Sequence, residues 1–84
     1  MSKIIVILKV FPTENANINN IKEKIEILVK PEKIEIEDFV FGLKCLVVHK
    51  IIEDVGNILE ELENKIKSID GVSSVEVERI TRSI

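Results

Sequence analysis

The stretch "KIEIEDFVFGLKCLVVHKII", Lys33 to Ile52, holds two unlike strands and the connection between them. Its first part, Lys33–Val40, alternates Ile34 and Ile36 with Glu35 and Glu37, the period-two pattern of a strand with one face in water, which places it at a sheet edge. Its last part, Leu43–Ile52, is a dense apolar strand. Between them Phe39, Phe41 and Gly42 crowd into one connection, although the chain has only 3 phenylalanines and no tryptophan or tyrosine. Aromatic surface concentrated there points to a contact tip. Gly42 opens backbone angles closed to other residues and allows close approach of another chain. Phe41 is read as projecting from a tight connection; spacing alone equally allows it to fold back and plug the bottom of the core.

Outward from this pair, the pattern changes period. Lys3–Phe11, "KIIVILKVF", is rich in β-branched residues, apolar at nearly every position and stopped by Pro12, so it reads as a central strand covered on both faces. Asn17–Lys30 carries Ile18, Ile21, Ile25 and Leu28 at helical spacing, with Asn17 as N-cap and Pro31 just past its end. Asn57–Ile69 repeats the pattern with Ile58, Leu59, Leu62, Ile66 and Ile69, and Asp70-Gly71 supplies a stop. Val72–Ile80 then alternates Val75 and Val77 with Ser74, Glu76 and Glu78, a fourth strand.

The order βαββαβ predicts an α+β class, a ferredoxin-like sandwich with an antiparallel four-stranded sheet of order 4-1-3-2 and both helices on one face. Within it, the right-handed crossover rule is read as making the first and third strands parallel neighbours. On that reading Met1–Lys3, Asp38–Leu43 and Ile80–Ile84 converge at one end of the sheet, and the aromatic connection sits beside the C-terminal residues.

With 84 residues the expectation is a single domain over 1–84, since so short a chain has one core's worth of apolar surface. Its 12 Lys and Arg are scattered among 15 Asp and Glu, for a net charge of −3, so no basic stripe exists to neutralise a phosphate backbone and nucleic acid is a poor partner. Aliphatic residues such as Ile5, Ile7 and Val47 cannot stack bases as an RNA-reading sheet would. The apolar run Ile4–Leu8 is far shorter than the ~20 residues that cross a bilayer, and a cytoplasmic protein without membrane attachment is expected. Cys45 has no second cysteine to pair with and reads as a small core residue. His49 lacks companion ligands for a transition metal, and Gly42, Gly56 and Gly71 are isolated, so no metal, cofactor, nucleotide cradle or enzymatic chemistry is expected. Glu60, Glu61 and Glu63 form a solvated helix face. The sheet face away from the helices keeps aliphatic residues, making it a candidate for weak homodimerisation or partner contact.

"FGLKCL" (Phe41–Leu46) after an edge strand, "ILEELENKIKSIDGV" (Ile58–Val72), the final "VSSVEVERITRSI" (Val72–Ile84) and the opening "IIVILKVFPT" (Ile4–Thr13) together resemble the archaeal elongation factor 1-beta family, the counterpart of the eukaryotic guanine-nucleotide exchange domain. That resemblance implies a ferredoxin-like domain that docks on the GTPase elongation factor 1-alpha and expels GDP so that GTP can enter. It places Phe41 where the eukaryotic members' GTPase-contacting aromatic stands, with Gly42, Leu43 and Lys44 beside it. Those members carry a penultimate lysine that disturbs the magnesium and phosphate site; here Ser83 occupies that place, Arg82 is the nearest cation, and the resemblance leaves Arg82 or Arg79 to contribute in the lysine's stead. The glycine-rich "GGT" turn of many archaeal relatives is also missing after the third strand. The alternative, independent of the resemblance, is a ferredoxin-like ligand-sensing or oligomerising module that uses the open sheet face.

Overall fold

A computed structural model describes residues 2–82. The order is β1 (Lys3–Pro12), α1 (Ile18–Val29), β2 (Lys33–Asp38), a 3₁₀ turn (Val40–Gly42), β3 (Lys44–Glu53), α2 (Ile58–Lys67) and β4 (Val72–Thr81). The four strands form one sheet in the order β2-β3-β1-β4, and every neighbouring pair is antiparallel. The α+β ferredoxin-like architecture is therefore the observed one.

The strand directions correct one expectation. β1 and β3 are antiparallel, with Lys3 opposite Glu53 and Val10 opposite Leu46. The crossover rule governs strands joined through a helix, which here are β1 with β2 and β3 with β4. Neither pair is adjacent: β3 lies between β1 and β2, and β1 lies between β3 and β4. The short connection 39–43 then reverses the chain, so β3 runs against both neighbours. The start of β1 accordingly meets the ends of β3 and β4, whereas the β2–β3 connection lies at the other pole, near Pro12 and the start of β4. Asp38–Leu43 and the end of β4 do not converge.

Burial follows strand parity. Ile4, Val6, Leu8 and Val10 of β1 are 0–6% exposed and form the core with Leu46 and Val48 of β3. The helices close this face with Ile21, Ile25 and Val29 from α1, Leu62 and Ile66 from α2, and Ile69 just beyond it. Leu28, expected on the buried face, is half-exposed and Val29 takes its place, because Ile18, Ile21, Ile25 and Val29 share one side of the helix. The Asn17 side chain caps α1 by accepting from the N–H groups of Asn19 and Asn20. The other sheet face is only half covered: Ile5, Ile7, His49 and Ile51 are partly exposed. Among the described residues no helix is long and apolar enough to cross a membrane.

Gly71 locks the β4 entry to α1. Its φ is +97°, and a Cβ built there would stand 3.2 Å from the Ala16 Cβ and 3.3 Å from the Ile21 Cδ1. Its carbonyl also accepts from the N–H of Thr13 at 2.7 Å. Gly42, at φ +76°, has open space around it. Urea denaturation should thus find Gly71→Ala destabilising by about 2–3 kcal/mol, from left-handed strain plus crowding, against about 1 kcal/mol for Gly42→Ala from strain alone.

Candidate functional site: an aromatic tip and a cationic pole

The connection after β2 is built as a closed loop with a bare apex. Asp38 and Lys44 stand opposite each other at the end of the β2–β3 ladder, and the Lys44 Nζ donates to the Asp38 Oδ1 at 2.6 Å. This hydrogen bond, with the lysine's charge behind it, holds the Asp38 carboxyl below its ordinary value of 3.8. Inside that clasp the Phe39 N–H donates to the Leu43 carbonyl at 2.7 Å and the Leu43 N–H to the Val40 carbonyl at 3.2 Å. The two central residues, Phe41 (φ 58°) and Gly42 (φ 76°), are both left-handed.

The phenylalanines of this loop have separate duties. Phe39 folds down onto Phe11 of β1, ring edge to ring face, with centroids 5.2 Å apart. Phe41 points outward and is 98% exposed. The alternative in which Phe41 plugs the core is overturned. Among the described residues, four of the nine exposed large hydrophobic side chains, Phe39, Val40, Phe41 and Leu43, belong to this one loop. Monomers rarely leave such a cluster in water unless it contacts something. Beside the apex a groove of about 360 Å³ runs between Phe11, Pro12 and Ile18 on one wall and Phe39 and Leu43 on the other.

The remaining candidates are dispersed. Phe41, Gly42, Leu43 and Lys44 share the tip, but Arg79 stands opposite Ile7 on the half-open sheet face. Arg82 is at the other pole, where its Nη2 lies 3.2 Å from the Asp54 Oδ2. Ser83 falls outside the described residues. The longest dimension of the molecule is 41 Å, and ten-residue strands at ~3.3 Å per residue set about 30 Å between the poles. Among the described residues, a single wedge made of Phe41 and Arg82 is therefore not the geometry of this chain.

Among the described residues, Cys45 and His49 show no reactive arrangement. Cys45 is fully buried opposite Glu37, and burial followed by the Glu37 charge pushes its thiol up, away from the thiolate form that attacks. His49 is half-exposed between Ile7 and Lys33. Sequence reasoning missed Lys9 and Phe11, which lie against Phe39 at the base of the tip, and Asp54, which meets Arg82 at the far pole. One signal was available: the apolar positions of β4 run Val75, Val77, then Ile80, and that break in alternation marks the bulge in pairing between Ile7 and Leu8 that brings Glu78 to Lys9.

Residues 5–82 match the family described as the EF-1 guanine nucleotide exchange domain. The chain belongs to that family. It is similar to the elongation factor 1-beta of Staphylothermus marinus, 39% identical over 98% of both chains. It is similar also to those of Sulfurisphaera tokodaii, 36% identical over 98% of this chain and 97% of the relative, and Thermoplasma acidophilum, 31% over 96% and 98%. Within this exchange-domain family, nucleotide exchange in translation elongation is the common activity.

Two measurements follow from the loop. Phe41 buries nothing and holds a backbone conformation that asparagine adopts readily, so Phe41→Asn should raise stability by about 0.5–1 kcal/mol, or about 3–6 °C in Tm. Asp38 is favoured as a carboxylate in the folded state, so its contribution is present above pH 3.8 and lost as pH falls below that value. In an acid titration the amide signals of 39–43 should broaden or shift in this window for the wild type, but not for Asp38→Asn.

Proposed function

We propose that this protein is a guanine-nucleotide exchange factor that promotes GDP release from the elongation GTPase, elongation factor 1-alpha, in the cytoplasm. The observation that carries this reading is Phe41, a ring 98% exposed at a clasped loop apex in a chain of an exchange-domain family. A rigidly presented aromatic has little conformational freedom left to lose on docking and is a typical anchor of binding energy.

Exchange of this kind needs no bond made or broken by the factor. It binds the nucleotide-free GTPase better than the loaded one, and linkage obliges it to weaken nucleotide binding by the same factor. A differential of ~4 kcal/mol realised in the transition state for release speeds it about a thousandfold. Phe41, with Gly42, Leu43 and Lys44 around it, supplies one contact. Arg82 supplies a second once its guanidinium exchanges Asp54 for an acceptor on the GTPase, and Arg79 lies on the face between them. Because the two poles are a strand's length apart, they engage separate places on the partner, and the factor works as a strut between them. Ser83, the penultimate residue of the sequence, is a further candidate for this contact.

A sheet-face oligomerising module has less behind it, since Ile5, Ile7 and Ile51 are half-buried while the loop apex is bare.

Release of fluorescent GDP from the GTPase, followed with and without this protein, tests the reading. Wild type at micromolar concentration should accelerate release, Phe41→Ala should lower the second-order rate about thirtyfold, and Arg82→Ala should lower it by a smaller factor. Release that the wild type leaves unchanged would remove the reading.

A further inference from the structure

The apex of the loop is bare, so whatever holds its direction must act at its base. On the half-open face Lys9 of β1 stands in register with Val47 of β3 and Glu76 of β4. Its Nζ lies 3.5 Å from the Glu37 Oε1 and 3.6 Å from the Glu78 Oε2. The same nitrogen stands 5.8 Å from the centroid of the Phe39 ring, the ring that packs on Phe11. One ammonium thus joins β4, β1, the end of β2 and the first residue of the loop. The Lys9 side chain is only 20% exposed, whereas Glu37 and Glu78 are about half exposed. It is the fixed post, and the two carboxylates reach it from solvent.

We propose that Lys9 is the positioning residue of the contact tip: by holding Glu37 and the Phe39 ring to the sheet, it sets the direction in which Phe41 leaves it. Phe39 is the joint. It is adjacent to the 3₁₀ turn, its N–H closes the loop on Leu43, and its ring stands against Phe11 below and the Lys9 ammonium beside it. Lys44 and Asp38 clasp the loop's neck but are exposed, so they limit its width without fixing its tilt. Without the Lys9 charge, Glu37 returns to water, the Phe39 ring loses its flank, and residues 39–43 sample several directions. Docking must then select one of them, and the apparent affinity falls by the fraction populated.

The functional part of this inference rests on the tip docking to the GTPase; the positioning part does not. Lys9→Met retains the stem against Phe39 and removes the charge, and Glu37→Gln is the second variant, mild because Glu37 is half exposed. In the free protein, ¹⁵N relaxation should report lower order parameters at residues 39–43 in both variants. In the GDP-release titration the half-saturating factor concentration should rise about five- to tenfold with the maximal release rate unchanged, and Lys9→Arg should restore both readouts. A loosened loop with a wild type that fails to accelerate release would support the positioning role and remove the proposed function alone. A wild type that accelerates release, with Lys9→Met tracing the same titration, would overturn the inference; so would a fall in Tm with loop order parameters unmoved.

Discussion

The antiparallel ladder between β1 and β3 is the constraint on which the rest of this structure depends. It sits at the middle of the sheet, and its register decides which side of β1 faces the helices. A slip of one residue would exchange Ile4, Val6, Leu8 and Val10 for Ile5, Ile7, Lys9 and Phe11. The ammonium of Lys9 would then enter the core with no carboxylate to meet it, and an unpaired buried charge is among the most costly groups a fold can hold. Lys9 therefore helps select the register as well as the loop direction. The same register puts Phe11 beneath Phe39, so strand pairing and tip geometry are set together.

Strand direction also explains why the aromatic tip and Arg82 stand apart. Two helical crossovers around a central antiparallel pair force the β2–β3 connection to one pole and the ends of β3 and β4 to the other. Asp54 illustrates the second pole: its N–H donates to the Ser2 carbonyl at 3.0 Å while its carboxylate meets Arg82. On the proposed function, a factor with contacts at both ends gains from the rigidity of the sheet between them, because a strut that bends cannot transmit a displacement from one site to another.

Element order, most of each helix face and the edge character of β2 were legible in the residues, since each depends on periodicity within a single segment; the exception was Leu28, whose expected place in the core Val29 takes. The alternation of Ile34 and Ile36, and the helical spacing of Ile21, Ile25, Leu62 and Ile66, required nothing from elsewhere in the chain. The mutual direction of β1 and β3 was not local. It follows only when the crossover rule is applied to the strands that a helix joins, and the expected meeting of Phe41 with the final residues came from applying it to strands one and three. The ring of Phe41 could be placed at the connection but not inside or outside, because exposure there turns on two successive left-handed residues. The Lys9–Glu37–Glu78 cluster was less accessible still. It joins three strands far apart in sequence and relies on a bulge that shifts Glu78.

The tip sets two unfavourable features side by side. An aromatic ring 98% exposed contributes no burial, and a non-glycine residue at φ 58° carries strain of order 1 kcal/mol. Neither is offset locally, because Gly42 relieves the next residue rather than Phe41. The surrounding framework instead over-determines the loop: the Asp38–Lys44 clasp, two backbone hydrogen bonds and the Phe39–Phe11 contact leave little room for Phe41 to turn inward. Stability alone would favour a polar residue at that position. On the proposed function, a conformation maintained against both strain and solvation has its return in the complex, where the ring leaves water and the ordering of the loop has already been met in folding.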